Sequence, residues 1–431
     1  MYEDLRSFTK YYDERGEVKY YETQLSTNLE IAREIFYNDE GDILFFKRVK
    51  NYKLPVVANV LARRSRLLFA LKSKSNAEAY TRLLEASRNP LTLREKDDAP
   101  FLECSAKDLR ALPILKHFSA DGGPYITSGI VVAKDVDEDI YNASFHRLQV
   151  IDPQHLVIRV VPRHLYTMMR KAWDKGKDLE IAIVLGVSPT VMIAAAASPP
   201  YGIFELEVAN RILEGSLEGF RSPNGIIVPR MTEIVIQGRI LRETFHNEGP
   251  FVDITGTYDI VRKQPVVEVE KVYLRENAWY EALLPSGSEH RLLMGFEREA
   301  RIWDTVRRVV PRVKAVRLTK GGCGWLHCVI SLKKQSEGDA KNAILAAFAA
   351  HPSLKLVIVV DEDIDVENPM EVEWALATRF QASKDLIIIN NVRGSSLDPS
   401  ADQETLLTSK MGIDATRSLF KSKDKFERVK P

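Results

Sequence analysis

Apolar positions change rhythm twice along the chain. In the first hundred residues, Leu29, Ala32 and Ile35 or Phe36 recur at helical spacing behind Ser26, which predicts a capped helix over 26–36. Ser75 and Glu78 have capping-box spacing ahead of a second helix over 77–87, and the runs 54–60 and 67–71 read as buried strands. From about 105 to 305 the pattern becomes strand-like. The segments 129–133, 155–161, 181–186, 233–240 and 266–273 are short, β-branched and bounded by turn residues. Helical spacing interrupts them only at about 165–174 and 204–215, a strand density that predicts a barrel or closed sheet. From about 312, strands at 313–318, 328–332, 356–360 and 386–389 alternate with helices at 340–350 and 371–379. That β-α-β rhythm predicts a separate α/β domain with a largely parallel sheet. The reading is a multi-domain chain of mixed α/β and β class: an α/β unit over 1–104, a β-rich domain over 105–305 and an α/β domain over 306–431.

Charge excludes some partners. With 61 basic and 60 acidic residues the net charge is +1, and no basic run or RNA-binding signature stands out. Neither nucleic acid nor a membrane surface is expected as a partner. No apolar stretch reaches the ~18 residues that span a bilayer. The start, Met1-Tyr-Glu-Asp-Leu-Arg6, lacks the apolar core of a secretory signal. Three cysteines, Cys104, Cys323 and Cys328, are too few for a disulfide framework, so a reducing cytoplasm is expected.

Five clusters carry candidate chemistry. In Asn142-Ala-Ser-Phe-His-Arg147-Leu-Gln149, strand alternation puts Asn142, Ser144 and His146 on one face and Arg147 on the other; a polar hairpin end would look the same. Arg163-His164 follows an apolar strand and Pro162, where imidazole can ligate metal and guanidinium can grip phosphate. Glu205 and Glu207 open a helix, which the helix dipole alone explains. Glu248 and Asp253 flank a Gly-Pro turn that itself needs no acid; paired carboxylates beside an arginine suit general acid chemistry. Lys410, beside what reads as a glycine turn at Gly412, can meet a phosphate as a point charge. Cys323, His327 and Cys328 lack the second half of a zinc motif, and Gly321-Gly-Cys-Gly324 lacks dinucleotide-loop spacing; both read as structural.

In this order and at these separations the motifs resemble the UbiD family of prenylated-flavin decarboxylases. The resemblance runs from the N-terminus through Asn142…Arg147-Leu-Gln149, Glu248-Gly-Pro-Phe251 and Ile358-Val-Val-Asp361-Glu-Asp-Ile-Asp365 to Lys410-Met-Gly-Ile-Asp-Ala-Thr416. It implies that the central domain is a split β-barrel binding prenylated FMN and that the C-terminal domain mediates homo-oligomerisation, as a dimer or hexamer. It implies Arg147, Glu248 and Asp253 as catalytic residues. It further implies Asn142, His164 and Glu205 as ligands of a divalent metal, manganese, with a potassium ion near Glu205, and Arg163 and Lys410 at the cofactor. A flavin prenyltransferase would supply that cofactor. Asp253 stands where a glutamate is usual, Ser144 where glycine is common, His146 for a tyrosine, Val252 for a glycine and Gln237 for a glutamate. These departures point to a distinct pocket for an unsaturated carboxylic acid. The short C-terminus resembles archaeal members acting on trans-anhydromevalonate 5-phosphate of the mevalonate pathway. The alternatives are an aromatic acid such as a hydroxybenzoate of quinone biosynthesis, or a flavin oxidoreductase on the same barrel. A phosphorylated substrate needs further cations, for which Arg230, Arg239 and Arg242 are candidates.

Overall fold

The computed structural model describes residues 4–426 and 428–429. Met1–Glu3 of the N-terminal stretch, with Glu427 and Lys430 of the basic tail, lie outside the described residues. The chain divides into two compact units: Met1–Lys74 with Glu85–Leu293, and Ser75–Leu84 with Met294–Pro431.

The first unit is built on a nine-stranded sheet. Its order is Tyr125–Ile126, Leu148–Asp152, His155–Ile158, Arg262–Leu274, Ile234–Glu248, Leu179–Leu185, Ile130–Lys134 and Tyr141–Phe145, with Cys104–Ala106 also paired to Arg262–Leu274. The pairings are antiparallel. The connection after Tyr141–Phe145 shows that the sheet curls. This end strand leads into Leu148–Asp152, second from the other end, through His146 and Arg147 alone. Six strand spacings in a flat sheet would separate the two by about 29 Å, whereas three peptide steps reach only about 11 Å. The sheet therefore closes on itself as a split barrel, with Arg147 at the seam. Inward residues such as Val131, Ile158, Ile181, Ile183, Ile236 and Val267 are fully buried in its core.

Beside the barrel, a four-stranded sheet of order Val18–Tyr21, Ile43–Phe46, Val56–Ala58 and Tyr280–Ala282 draws its last strand from far along the sequence. Several expectations need correction here. Ser26 caps no helix: the helix is Glu30–Tyr37, preceded by Leu29 at φ 70°. The run 67–71 is not a strand but lies largely within the helix Arg64–Ala70. A helix at Pro189–Ala196 lies between the two expected helices, which form as His164–Asp174 and Glu205–Ile212. Seven consecutive residues, Pro189 to Ala195, are buried. A helix buried on every side has no amphipathic stripe to read.

The second unit is a five-stranded sheet, Val313–Leu318, His327–Leu332, Leu356–Asp361, Leu407–Ala415 and Leu386–Arg393, with helices on both faces. Ile302, Val306, Ala343 and Phe348 pack on one face, and Val372 and Ala375 on the other. The sheet is mixed rather than largely parallel: two pairings are parallel and the two outer ones antiparallel. Gly412 lies inside the strand Leu407–Ala415, not in a turn. It is small because a Cβ there would clash with Ile344. Cys328 is fully buried in this unit's core and Cys323 lies in a loop, as structural roles require. No helix among the described residues is long and apolar enough to cross a membrane.

Candidate active site

Arg147, at the barrel seam, gathers three carboxylates. Its Nε donates to Glu248 Oε1 at 2.9 Å and its Nη2 to Glu248 Oε2 at 2.8 Å, a bidentate pair. Nη1 donates to Asp253 Oδ2 and Nη2 also to Asp259 Oδ2, each at 2.8 Å. The guanidinium lies 4.6 Å from the centre of the Phe251 ring. Glu248 and Phe251 flank the Gly249-Pro250 turn at the end of the long strand Ile234–Glu248. The chain then forms a small hairpin in which Phe251 pairs with Asp259 and Val252 with Tyr258. That register brings Asp259 back to Arg147 beside Asp253. Burial alone would lower the affinity of Arg147 for its proton; the charges of Glu248, Asp253 and Asp259 outweigh it and raise that affinity. Burial would likewise raise the Asp259 carboxyl, but hydrogen bonds from Arg262 and Arg147 and their charges hold it below the ordinary carboxylate range.

Glu248 is fully buried and has a further support. The Tyr125 hydroxyl, also fully buried, lies 3.1 Å from Glu248 Oε1 and 2.9 Å from Gln149 Oε1. Gln149 Oε1 accepts the Gly249 N–H at 2.9 Å, tying the turn to the strand Leu148–Asp152. Gly122 donates its N–H to Pro250 O and packs so close that a Cβ would clash with Gly249 O. Sequence reasoning missed Tyr125, Asp259, Arg262 and Gly122. The Thr255-Gly256-Thr257 turn after Asp253 was the available signal for Asp259, since a hairpin there returns the chain to Arg147.

On the other side of the seam, Asn142 Nδ2 donates to Ser144 Oγ at 2.8 Å. His146 Nδ1 faces the carbonyl oxygen of Arg159 at 2.9 Å, so it carries the proton and Nε2 accepts from Ser144 Oγ at 3.0 Å. Burial is the main cause pushing His146 down to about 4. The three side chains share the face that strand alternation assigned them, and Asn142 Oδ1 stays outside this chain of bonds. Glu205 is buried, accepts the Ala143 N–H at 2.7 Å, and is pushed up to about 8 by burial. His164 packs edge-on against Tyr201, whose hydroxyl bonds Asp135, and Arg163 Nη1 lies 3.4 Å from Ser198 Oγ. Arg163 and His164 thus both meet the segment 198–201, which leads into the helix that Glu205 opens. Among the described residues no three His, Cys, Asp or Glu side chains converge into a metal-binding group. A cation here would draw on Asn142 Oδ1 as a donor. Amide oxygen, imidazole and carboxylate are the donor types that a divalent cation of this hardness takes.

Lys410 belongs to the second unit. It is buried, its Nζ donates to Pro352 O at 2.5 Å, and burial pushes it down to about 8. The three arginines considered for a substrate phosphate are held elsewhere: Arg230 by Asp98, Arg239 by Glu268, and Arg242 against Glu243.

Comparison with known proteins adds identity to this geometry. Family models described as the N-terminal, Rift-related and C-terminal domains of 3-octaprenyl-4-hydroxybenzoate carboxy-lyase match residues 10–87, 93–288 and 291–415. The chain is 45% identical over 408 residues to anhydromevalonate phosphate decarboxylase of Methanothermobacter thermautotrophicus, covering 95% of this chain and 96% of that protein. It is 46% identical to the protein of the same name from Aeropyrum pernix, covering 92% and 89%. Among solved structures, the UbiD-class enzyme HmfF of Pelotomaculum thermopropionicum in complex with FMN superposes with a TM-score of 0.96 at 40% identity, covering 99% of this chain and 97% of that one. An evolved dimeric form of HmfF in complex with prFMN gives 0.93 at 38%, covering 100% and 97%. With three family models and close relatives spanning nearly its whole length, and the curled barrel of the UbiD-class structures, the chain belongs to the UbiD family of carboxy-lyases.

Proposed function

We propose that this protein is a prenylated-FMN-dependent decarboxylase that removes carbon dioxide from trans-anhydromevalonate 5-phosphate. The observation that carries the chemistry is the convergence of Glu248, Asp253 and Asp259 on Arg147 at the barrel seam. The substrate assignment is supported by the names of relatives 42–46% identical to this chain.

Loss of carbon dioxide from an alkenoic acid leaves an electron pair on a vinylic carbon, and the prenylated flavin, when bound, supplies the electron sink that no side chain can. The protein does the rest. Arg147 orients the substrate carboxylate, and Glu248, gripped by Arg147 and Tyr125, fixes the guanidinium plane. Asp253 delivers a proton to the carbon that has lost its carboxyl group. Both oxygens of Asp253 accept here, Oδ1 from the Ile254 N–H at 2.7 Å and Oδ2 from Arg147, which fixes the direction in which its carboxyl points. Asn142, His164 and Glu205 would hold a divalent cation, manganese, that neutralises the flavin phosphate, with potassium beside Glu205. Arg163 is assigned to the cofactor phosphate. In our reading the protein is cytoplasmic, receives its flavin from a prenyltransferase and assembles as a dimer or hexamer. Exposed Ile388 and Met411, register partners on the second unit's sheet, suit a self-contact.

Reconstitution with prenylated FMN under anaerobic conditions tests the reading. Carbon dioxide release from trans-anhydromevalonate 5-phosphate, without release from hydroxybenzoates, is expected. Turnover of hydroxybenzoates alone would refute the substrate assignment.

A further inference from the structure

The donors of Arg147 can be counted one by one. A guanidinium carries five N–H groups. Glu248 takes the side-on edge, Nε and one hydrogen of Nη2. The second Nη2 hydrogen goes to Asp259 and one Nη1 hydrogen to Asp253. A carboxylate that binds a guanidinium in bidentate fashion needs two parallel N–H groups. The remaining edge that offers such a pair joins Nη1 to Nη2, and its Nη2 hydrogen is taken by Asp259.

The three acids differ in what they lose by letting go. Glu248 is fully buried and held by two N–H groups of Arg147. For Asp253, Arg147 supplies the ion pair found among the described residues. Asp259 has a second home: its Oδ1 accepts from Arg262 Nη1 at 2.5 Å and from the Ile260 N–H at 2.9 Å. Released from Arg147, Asp259 remains a paired carboxylate, whereas an acid left buried without a cation is costly. We propose that Asp259 is a placeholder for the substrate: it occupies the Nη2 position of Arg147 when the pocket is empty, yields it to the incoming carboxylate while retained by Arg262, and returns once carbon dioxide has left. This rests on the reading that Arg147 receives the substrate carboxylate. It makes Asp259 a positioning residue that lowers affinity for every carboxylate, substrate analogues included. Arg262 sets how readily it yields.

The test uses the prenylated-flavin holoenzyme and two probes: 3-methylbut-2-enoate, an unsaturated acid without phosphate, titrated through the flavin absorbance, and trans-anhydromevalonate 5-phosphate in turnover. Asp259→Asn should tighten 3-methylbut-2-enoate about tenfold, the scale of one charge-assisted hydrogen bond, and lower KM for the phosphorylated acid more than it changes kcat. Asp259→Glu should restore wild-type affinity. Arg262→Met should act in the opposite direction, weakening both acids, because Asp259 then has Arg147 alone. Unchanged or weaker binding in Asp259→Asn would overturn the proposal. So would unchanged binding in Arg262→Met, which decides the matter if Asp259→Asn does not fold. If the wild type leaves the phosphorylated acid intact, the substrate assignment fails, while the 3-methylbut-2-enoate titration still reads Asp259.

Discussion

At the scale of single residues, the arrangement around Arg147 separates proton delivery from cofactor retention. Asp253→Asn keeps the shape of the side chain and a hydrogen-bond acceptor for Arg147 but has no proton to give. Turnover should fall by roughly 10²–10⁴-fold with flavin content unchanged, measured by carbon dioxide release and flavin absorbance on the same preparation. Arg163→Ala should show the reverse, losing flavin on gel filtration before its residual turnover per bound flavin drops. From the residues alone only Glu248 and Asp253 stood out, as acids around a Gly-Pro turn that needs none; it was the family resemblance that joined Arg147 to them. Asp259 was not legible, since its role depends on hairpin register rather than on its own neighbours in sequence. Tyr125 was equally silent: a tyrosine in a two-residue strand looks like core, and is core, until its hydroxyl is seen against Glu248.

At the scale of elements, close packing aims the catalytic groups. Gly122 lies on the loop before the strand Tyr125–Ile126, against the carbonyl of Gly249. Gly122→Ala should push the Glu248–Asp253 turn away from Arg147. Overpacking of this kind costs about 1–3 kcal/mol, and a misplacement near 1 Å costs about 10²-fold in rate. A drop in kcat/KM far larger than the shift in melting temperature implies, with a crystal structure showing the turn displaced, is the expected outcome; wild-type kinetics would show that the turn adapts. Elements with a dry side and a wet side were read well: His164–Asp174 buries Leu165, Met168, Met169 and Ala172 on one stripe. Arg64–Ala70 was misread because Leu67-Leu-Phe-Ala70 is a short apolar run that fits a strand as well as a helix. The curl of the barrel sheet came from neither propensity nor spacing, but from two residues joining strands near opposite ends of one sheet.

At the scale of the whole molecule, the interior holds ionisable groups that the chemistry does not use. Glu281 and Glu289 are both buried; burial and their mutual repulsion push Glu281 well above its ordinary 4.5, and burial pushes Glu289 up to about 7. Both carboxyls hold their protons more tightly folded than unfolded. Their contribution to stability is therefore complete below about pH 4.5 and is lost as pH rises through the folded values. Glu281→Gln removes that dependence at one site. Its melting temperature relative to wild type should be higher at pH 8 than at pH 5; a difference independent of pH would mean that Glu281 is not protonated in the folded protein. The separation of the site's residues along the chain also has a consequence in time. Arg147 meets Glu248 across 101 residues and Asp259 across 112. At about 5–20 residues per second of synthesis, the arginine is made roughly 5–20 s before its first acid exists. Through that interval the seam must stay open to water, for a guanidinium sealed into the barrel without its acids would be a buried unpaired charge. Glu248 and Asp253 reach the arginine before Asp259 does, and the strand Arg262–Leu274, which sits mid-sheet, is made only after all three, so the seam closes on a guanidinium that already has its acids.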